Sequence, residues 1–471
     1  MLSLLPAVLL PLLAWAATRF VAKAWTARAV WLDLLTPVAG VAILLGATDL
    51  PVLSGVLAAL PLAGLALADA TKRVVLDEPV VFSDAAMLPL VVRHPSLYLP
   101  FAGTHLVLGG VLAGLVVLCA LLVWEPRLGL SWTWRGALIA LGLGLVLGPL
   151  RAPPQVLRQA LARDPWKDTA RFGLLATLSL YRAVARAERP ARQARFPVDP
   201  PAFQPGALKP HVVLVQAESF WDPRGALENL PPGLLKNWDE LGGRALARGR
   251  LQVPGFGANT MRAECAALTG IDDASLGLDR FNPYFRFVVP GLRSIAHTLG
   301  AAGYRSWILH PFDRLFFSRH RVMPALGFER FESLPDFAGA KRVGPHVADE
   351  AVGRRILDIL SVAEEPTLIF AITMQAHGPW PGDDPQGQWL AHLGDADAML
   401  GSLAEAAAML ERPLVLCAYG DHQPALPGAT HWPDRRTNWL IWRSDRQGSG
   451  TQRDAIAAEI FHVLGRAIED R

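Results

Sequence analysis

PGFGANTMRAECAALTG, residues Pro254–Gly270, is the stretch on which the reading of this chain turns. Gly255 and Gly257 lie in a loop that ends at Thr260, and MRAECAALTG then reads as a helix stopped by Gly270. Glycine lets a backbone turn tightly and come close to a ligand. A helix start presents free N–H groups and the positive end of the aligned peptide dipoles, a setting that suits a phosphate. Thr260 therefore stands where its hydroxyl can face a phosphorus atom. Taken alone, a glycine loop ending in threonine is also how an ordinary helix is capped. Its meaning depends on what other parts of the chain bring to it.

Three apolar runs supply that context. HVVLVQAESFWD (211–222) is a short buried-strand pattern followed by Glu218, PTLIFAITMQAHGPW (366–380) is another followed by His377, and RPLVLCAYGDHQP (412–424) is a third followed by Asp421 and His422. Helical patterns fall between them, over Gly291–Ala302, Val347–Val362 and Asp395–Leu410. Apolar strands alternating with helices imply a largely parallel sheet covered on both faces. Ligands of such sheets bind beyond the carboxyl ends of the strands. One acid or imidazole after a strand is usually an exposed loop residue. Three strands delivering Glu, His and Asp-His to the same edge describe a site.

The residue types give its chemistry. Glu218, Asp421 and His422 are oxygen and nitrogen ligands for a divalent cation, and Mn²⁺, Mg²⁺ and Zn²⁺ all accept such a set. A cation there lowers the pKa of the Thr260 hydroxyl toward a nucleophile and polarises a phosphoryl oxygen. His377, His310 and Arg319 are candidates to hold the other phosphate oxygens or to protonate a leaving alkoxide. For His310 and Arg319 a plain surface pair is the competing reading. Cys119, Cys265 and Cys417 are isolated, with no CxxC pair, and read as packed thiols.

The first 150 residues are different. Hydrophobic residues make up 52% of the 471, and the excess is concentrated in five apolar runs: Leu2–Ala17, Ala29–Ala47, Pro51–Ala70, Thr104–Trp124 and Trp132–Leu150. A helix needs about 20 mostly apolar residues to cross a bilayer. The first run is short and carries Ala14-Trp15-Ala16, similar to a signal-peptidase site, but has no positively charged leader and reads as an uncleaved anchor. The span interiors carry almost no charge, Asp49 lying between spans and Asp69 at a span end, which argues against a transporter. A formal net charge of +3 gives no support for nucleic-acid binding. From 151 to 210 the chain reads as a connector. An apolar stripe of Phe172, Leu175, Leu178 and Leu180 among arginines fits a helix on the membrane surface or one packed on the globular domain. The five prolines of PVDPPAFQPGALKP then mark a linker.

These motifs together resemble the alkaline phosphatase–sulfatase superfamily, and within it the lipoteichoic acid synthase and phosphoglycerol transferase group. QAESFWD resembles the family's first metal-ligand strand end (Glu218), GFGANTMRAECAALTG its nucleophile segment (Thr260 with Glu264), HPFDRLFFSR the segment of a histidine and a phosphate-binding arginine nine residues on (His310, Arg319), TMQAHGPW its substrate-binding histidine (His377), and AYGDHQP its last metal pair (Asp421, His422). Phe317 stands where some members carry tryptophan, and Asn259 where glycine or lysine precedes the threonine. LDEPVVFSDAAML is similar to a loop of the same group's membrane part. True sulfatases use a modified Cys or Ser in C/S-x-P-x-R, and Cys265-Ala266-Ala267 does not fit that motif.

The resemblance implies a membrane domain of about five transmembrane helices (1–150), a juxtamembrane helix and linker (151–210), and an α/β sulfatase-like catalytic domain (211–471). It implies a metal site of Glu218, Thr260, Asp421 and His422, with manganese as the usual ion. His310, Arg319, His377 and Phe317 are its substrate-binding residues, Thr260 and His377 its catalytic ones. The expected reaction moves glycerol phosphate from phosphatidylglycerol to a hydroxyl of an envelope glycan or glycolipid. Basic residues lie mostly in loops on the side of the C-terminal domain, which by charge alone is the cytoplasmic side. The family implies the extracytoplasmic side of a bacterial plasma membrane, and long domains translocate largely regardless of charge. Two alternatives are a phosphoethanolamine transferase, whose relatives typically carry several disulfides, and a non-catalytic envelope protein that binds a glycan.

Overall fold

The computed structural model describes the chain apart from residues 1–3, 27, 197–202, 207, 287–291, 427–428, 430–431, 433 and 470–471. The PVDPPA part of the expected linker and the start of the expected helix at Gly291 lie outside the described residues. Two compact units are present, Met1–Arg189 and Pro190–Arg471.

The first unit is helical. Among the described residues four helices are long and apolar enough to cross a membrane: Leu4–Val21, Val30–Thr48, Pro51–Val75 and Thr104–Trp124. The fifth apolar run forms a helix of only 16 residues, Trp132–Leu147, which is about 24 Å long. Leu4–Val21 passes through Ala14-Trp15-Ala16 without a break. The charges near the span ends are tied to specific partners. Glu125 accepts the N–H groups of Val52 and Leu53 and so caps the third helix, while Asp49 accepts those of Gly129 and Leu130. Asp69, near the end of its span, is buried; it pairs with Arg73 at 2.8 Å and accepts the N–H of Val80.

Asp33 is a buried charge that the hydropathy pattern passed over. It takes Arg19 at 3.2 Å, the Trp15 indole at 2.9 Å and the N–H of Ala176 at 2.8 Å. That last bond ties the connector helix to the first unit. Of the expected stripe, Phe172 and Leu180 pack with Ala176 on Ala29 and Leu32, and Leu175 packs with Ala14 and Leu62. Gly173, at φ 90°, permits this, because a Cβ there would lie 2.5 Å from the Asp33 carboxylate.

The second unit is built on one sheet. Its strands are β1 (His211–Ala217), β2 (Ala247–Gln252), β3 (Arg305–Leu309), β4 (Arg330–Glu332), β7 (Thr367–Ile372), β8 (Leu414–Gly420), β9 (Thr437–Arg443) and β10 (Ala455–Ile456). A hairpin of β5 (Arg342–Val343) and β6 (His346–Val347) stands apart. The order is β10-β2-β9-β8-β1-β7-β3-β4. From β8 through β4 every neighbour is parallel, whereas β9 runs antiparallel to β8 and β2. Alternation along β1 shows why the strand is apolar throughout. Val212 and Leu214 enter one core with the helices Thr260–Thr269 and Glu459–Ile468, and Val213 and Val215 enter the other with Asp349–Ser361 and Pro385–Ala406. The last helix begins ten residues before the expected Asp395, because Asp384 caps it through the N–H of Gly387 and Pro385 suits its first turn.

Candidate functional site

Parallel strands place their carboxyl ends on one edge, and β1, β3, β7 and β8 run directly into Glu218, His310, the loop of His377, and Asp421-His422. Beyond β1, the N–H of Glu218 donates to Thr373 at 3.0 Å. Ser219, at φ 51°, then turns the chain so that its N–H donates to Asp421 at 2.9 Å and its hydroxyl to Glu218 at 2.8 Å. Gly420 at the end of β8 allows the two strand ends to meet, since a Cβ there would lie 1.8 Å from the Phe220 carbonyl oxygen.

Glu218, Asp421 and His422 are all buried, with one potential ligand atom from each lying within 4.8 Å of the others. His422 faces the Gln423 carbonyl through Nδ1 at 3.0 Å. With Nδ1–H donating there, Nε2 is directed at the cluster. It lies 3.3 Å from Asp421 and 3.5 Å from Glu218. Burial, together with Glu218, pushes the Asp421 carboxyl up to about 7. Burial also works against the Glu218 carboxylate, but the imidazoles of His422 and His377 outweigh it and hold its pKa low. One oxygen of Asp421, Oδ2, has no hydrogen-bond partner although it is buried. Two buried carboxylates, an aimed imidazole nitrogen and an orphaned oxygen fit a divalent cation, which supplies the missing charge and takes up the free lone pairs.

Thr260 opens the helix Thr260–Thr269, with Asn259 before it at φ 67°. The Thr260 hydroxyl is turned toward Asp421 and favours its ionised form. The glycine loop is tied to the β8 end, where the N–H of Gly257 donates to the Gln423 carbonyl at 3.2 Å. One helical turn after Thr260, Glu264 is fully buried and receives Arg319 at 2.7 Å and the Tyr284 hydroxyl at 2.8 Å. The Arg319 guanidinium bonds His310 Nε2 through Nη1 at 2.9 Å and lies 5.1 Å from the Phe317 ring centre. Burial and the Arg319 charge hold His310 well below its usual pKa, so its Nε2 accepts. Arg319 is 1% exposed, so it is not a surface residue. His377 is half-buried, with Nδ1 against the Gly378 carbonyl.

Two side chains at this edge went unread in the sequence. His346 sits with its ring centre 5.8 Å from that of His377, and burial and His377 hold its pKa at about 4. Asp349 is fully buried with neither carboxyl oxygen bonded, and burial pushes it up to about 8. Nothing in HVADEAVG marks them, because an acid in the first turn of a helix is commonplace.

A covered parallel sheet with a hydroxyl beside a carboxylate–imidazole cluster defines the class: the alkaline phosphatase superfamily of phosphoryl and sulfuryl transferases and hydrolases. Residues 210–464, more than half of the chain, match the family described as Sulfatase, and the protein belongs to that family. The capsular polysaccharide biosynthesis protein RkpI of Rhizobium meliloti (strain 1021) is 32% identical over 403 residues, covering 77% of this chain and 72% of that protein. The lipooligosaccharide phosphoethanolamine transferase EptA of Neisseria meningitidis, an integral membrane protein, shares the fold at a TM-score of 0.52 and 13% identity. The match covers 100% of this chain and 95% of EptA. The Streptococcus pyogenes phosphoglycerol transferase GacH, solved with sn-glycerol-1-phosphate, is similar at a TM-score of 0.47 and 19% identity, covering 60% of this chain and 79% of that one.

Proposed function

We propose that this protein is a membrane-anchored phosphoglycerol transferase that works by two displacements. Thr260 Oγ attacks the phosphorus of phosphatidylglycerol. The bond to the diacylglycerol oxygen breaks, diacylglycerol leaves with a proton, and glycerophosphothreonine remains. A hydroxyl of an envelope glycan or glycolipid then attacks the same phosphorus, loses its proton and frees Thr260. His377 handles the proton of the leaving or entering oxygen. Arg319, His310 and Phe317 bind the phosphoglycerol group. Glu218, Asp421, His422 and Thr260 hold a divalent cation, Mn²⁺ in this reading, which supplies charge neutralisation for the phosphoryl oxygens and acidifies the hydroxyl. The helical unit keeps the site beside a donor that stays in the bilayer of the bacterial plasma membrane, with the catalytic unit on its extracytoplasmic side.

The observation that carries this reading is the Thr260 hydroxyl turned to Asp421 at the Glu218–Asp421–His422 cluster. The likeness to a capsular polysaccharide protein supports a glycan acceptor. Full-length protein in vesicles of labelled phosphatidylglycerol with Mn²⁺ is expected to release diacylglycerol. Loss of the nucleophile in Thr260→Ala is expected to lower the rate roughly 10³-fold or more. Release that survives Thr260→Ala unchanged would falsify the mechanism. Release from phosphatidylethanolamine but not phosphatidylglycerol would replace the glyceryl group by ethanolamine.

A further inference from the structure

Next to the cation cluster lies a second buried polar group that the roles above leave unexplained. Gln216 of β1 and Tyr419 of β8 are partners in the parallel register, each two residues before a cluster ligand, Glu218 or Asp421. The Tyr419 hydroxyl donates to the Gln216 side-chain oxygen at 2.6 Å, and the Gln216 amide nitrogen donates to Glu264 at 3.4 Å. The Tyr284 hydroxyl donates to the other Glu264 oxygen at 2.8 Å. Arg319 closes the group. Its Nε bonds both Glu264 oxygens at 3.2 Å and its Nη2 bonds one of them at 2.7 Å, while Nη1 reaches His310. All of these side chains are buried. A guanidinium has five N–H donors in one plane. With Nε, one Nη2 and one Nη1 donor engaged, each terminal nitrogen keeps one N–H for an anion.

Glu264 stands four residues after Thr260 on one helix. Side chains at that spacing share a face, about 6 Å apart along the axis. Glu264 thus joins three things: the helix of Thr260, the β1–β8 rung just before the cation ligands, and the Arg319 fork. Stability alone gives little reason for the arrangement, because a buried ion pair gains little over apolar packing of the same volume. A long side chain held in advance, by contrast, binds an anion without the entropy cost of ordering itself. We propose that Glu264 is a positioning residue. It sets the Arg319 fork at a fixed place relative to the Thr260 hydroxyl and the cation cluster, so that the arginine meets the phosphoryl group already oriented. This rests on the phosphoryl-transfer reading above and deepens it by assigning the residue that couples the anion-binding arginine to the nucleophile helix.

The test is calorimetric titration of the full-length, Mn²⁺-loaded protein in detergent with inorganic phosphate and sn-glycerol-1-phosphate. Glu264→Gln keeps the side-chain shape but gives up the charge and one Arg319 acceptor. It should weaken both ligands about tenfold, the loss of one charge-assisted hydrogen bond, with metal content unchanged. Arg319→Lys should weaken them as well. In that background Glu264→Gln should cost nothing more, because Glu264 acts through the arginine. Tyr284→Phe removes one tie to Glu264 and almost no volume, and should weaken both ligands about threefold. The assignment is overturned by phosphate affinity that is unchanged or tighter in Glu264→Gln while the melting temperature falls, or by losses that add in the double variant. Should Glu264→Gln fail to fold, unchanged affinity in Tyr284→Phe overturns it instead. Binding is read without turnover. A protein that follows this pattern but releases no diacylglycerol sinks the transfer reading alone. One that turns over phosphatidylglycerol through Thr260, with phosphate affinity indifferent to Glu264→Gln, sinks this one alone.

Discussion

His211 opens β1 with its ring 1% exposed, and its Nδ1 accepts the N–H of Thr367 at 3.2 Å. An accepting nitrogen carries no proton, and burial with the nearby Arg412 holds the pKa down at about 4. The unfolded chain takes up this proton near pH 6.5. Stability from His211 is therefore complete above pH 6.5 and is lost as pH falls toward 4, by up to about 3 kcal/mol. Melting curves between pH 7.5 and 4.5 should show a steeper acid loss in the native protein than in His211→Gln; parallel losses would refute the assignment. The same scale shows why the site was partly legible. Glu218, Asp421 and His422 each follow an apolar strand, so their common edge is implied by local pattern. His310 and Arg319 share the segment HPFDRLFFSR, but Glu264 comes from another, and only packing links the three into one hydrogen-bonded line. His346 has no local signature at all, because its neighbour His377 arrives from another strand end.

Elements constrain one another most tightly where backbone meets backbone. At Gly420 a side chain would have to displace the Phe220 carbonyl, which sits between the ends of β1 and β8. Gly420→Ala is expected to spread those ends and abolish divalent-cation binding, measured by metal content after gel filtration. Gly394 is the contrasting case. It lies inside the helix Pro385–Ala406, and a Cβ there meets nothing within 4 Å. Gly394→Ala should therefore stabilise the protein by roughly 0.5–1 kcal/mol, seen as a higher melting temperature with unchanged metal content. A stable, metal-replete Gly420→Ala protein would show that strand spacing does not hold the cluster. The helix boundaries follow similar logic. Periodicity found the segment at Asp395–Leu410, but the true start was set by Asp384 and Pro385, ten residues upstream.

Over the whole molecule, a cation bound only by the folded cluster adds stability by mass action, about 2.7 kcal/mol at a hundredfold excess over Kd. Chelation should lower the melting temperature, Mn²⁺ should restore it, and Glu218→Gln should be indifferent to both. A native protein equally indifferent would show that Glu218, Asp421 and His422 hold no ion. Composition along the chain was enough to separate an apolar helical part from an α/β part, since burial in lipid and burial between helices leave different periods in the sequence. It was enough to name the residue types at the strand ends. Tertiary structure alone decided that the fifth apolar helix stops at 16 residues. It alone decided that Asp33 anchors Ala176 and Arg19 inside the first unit, and that His346 and Asp349 face the loop of His377. The physical reason is that hydropathy and turn chemistry act between near neighbours in sequence. The partner of a buried charge is fixed by which distant backbone reaches it, and no local pattern encodes that.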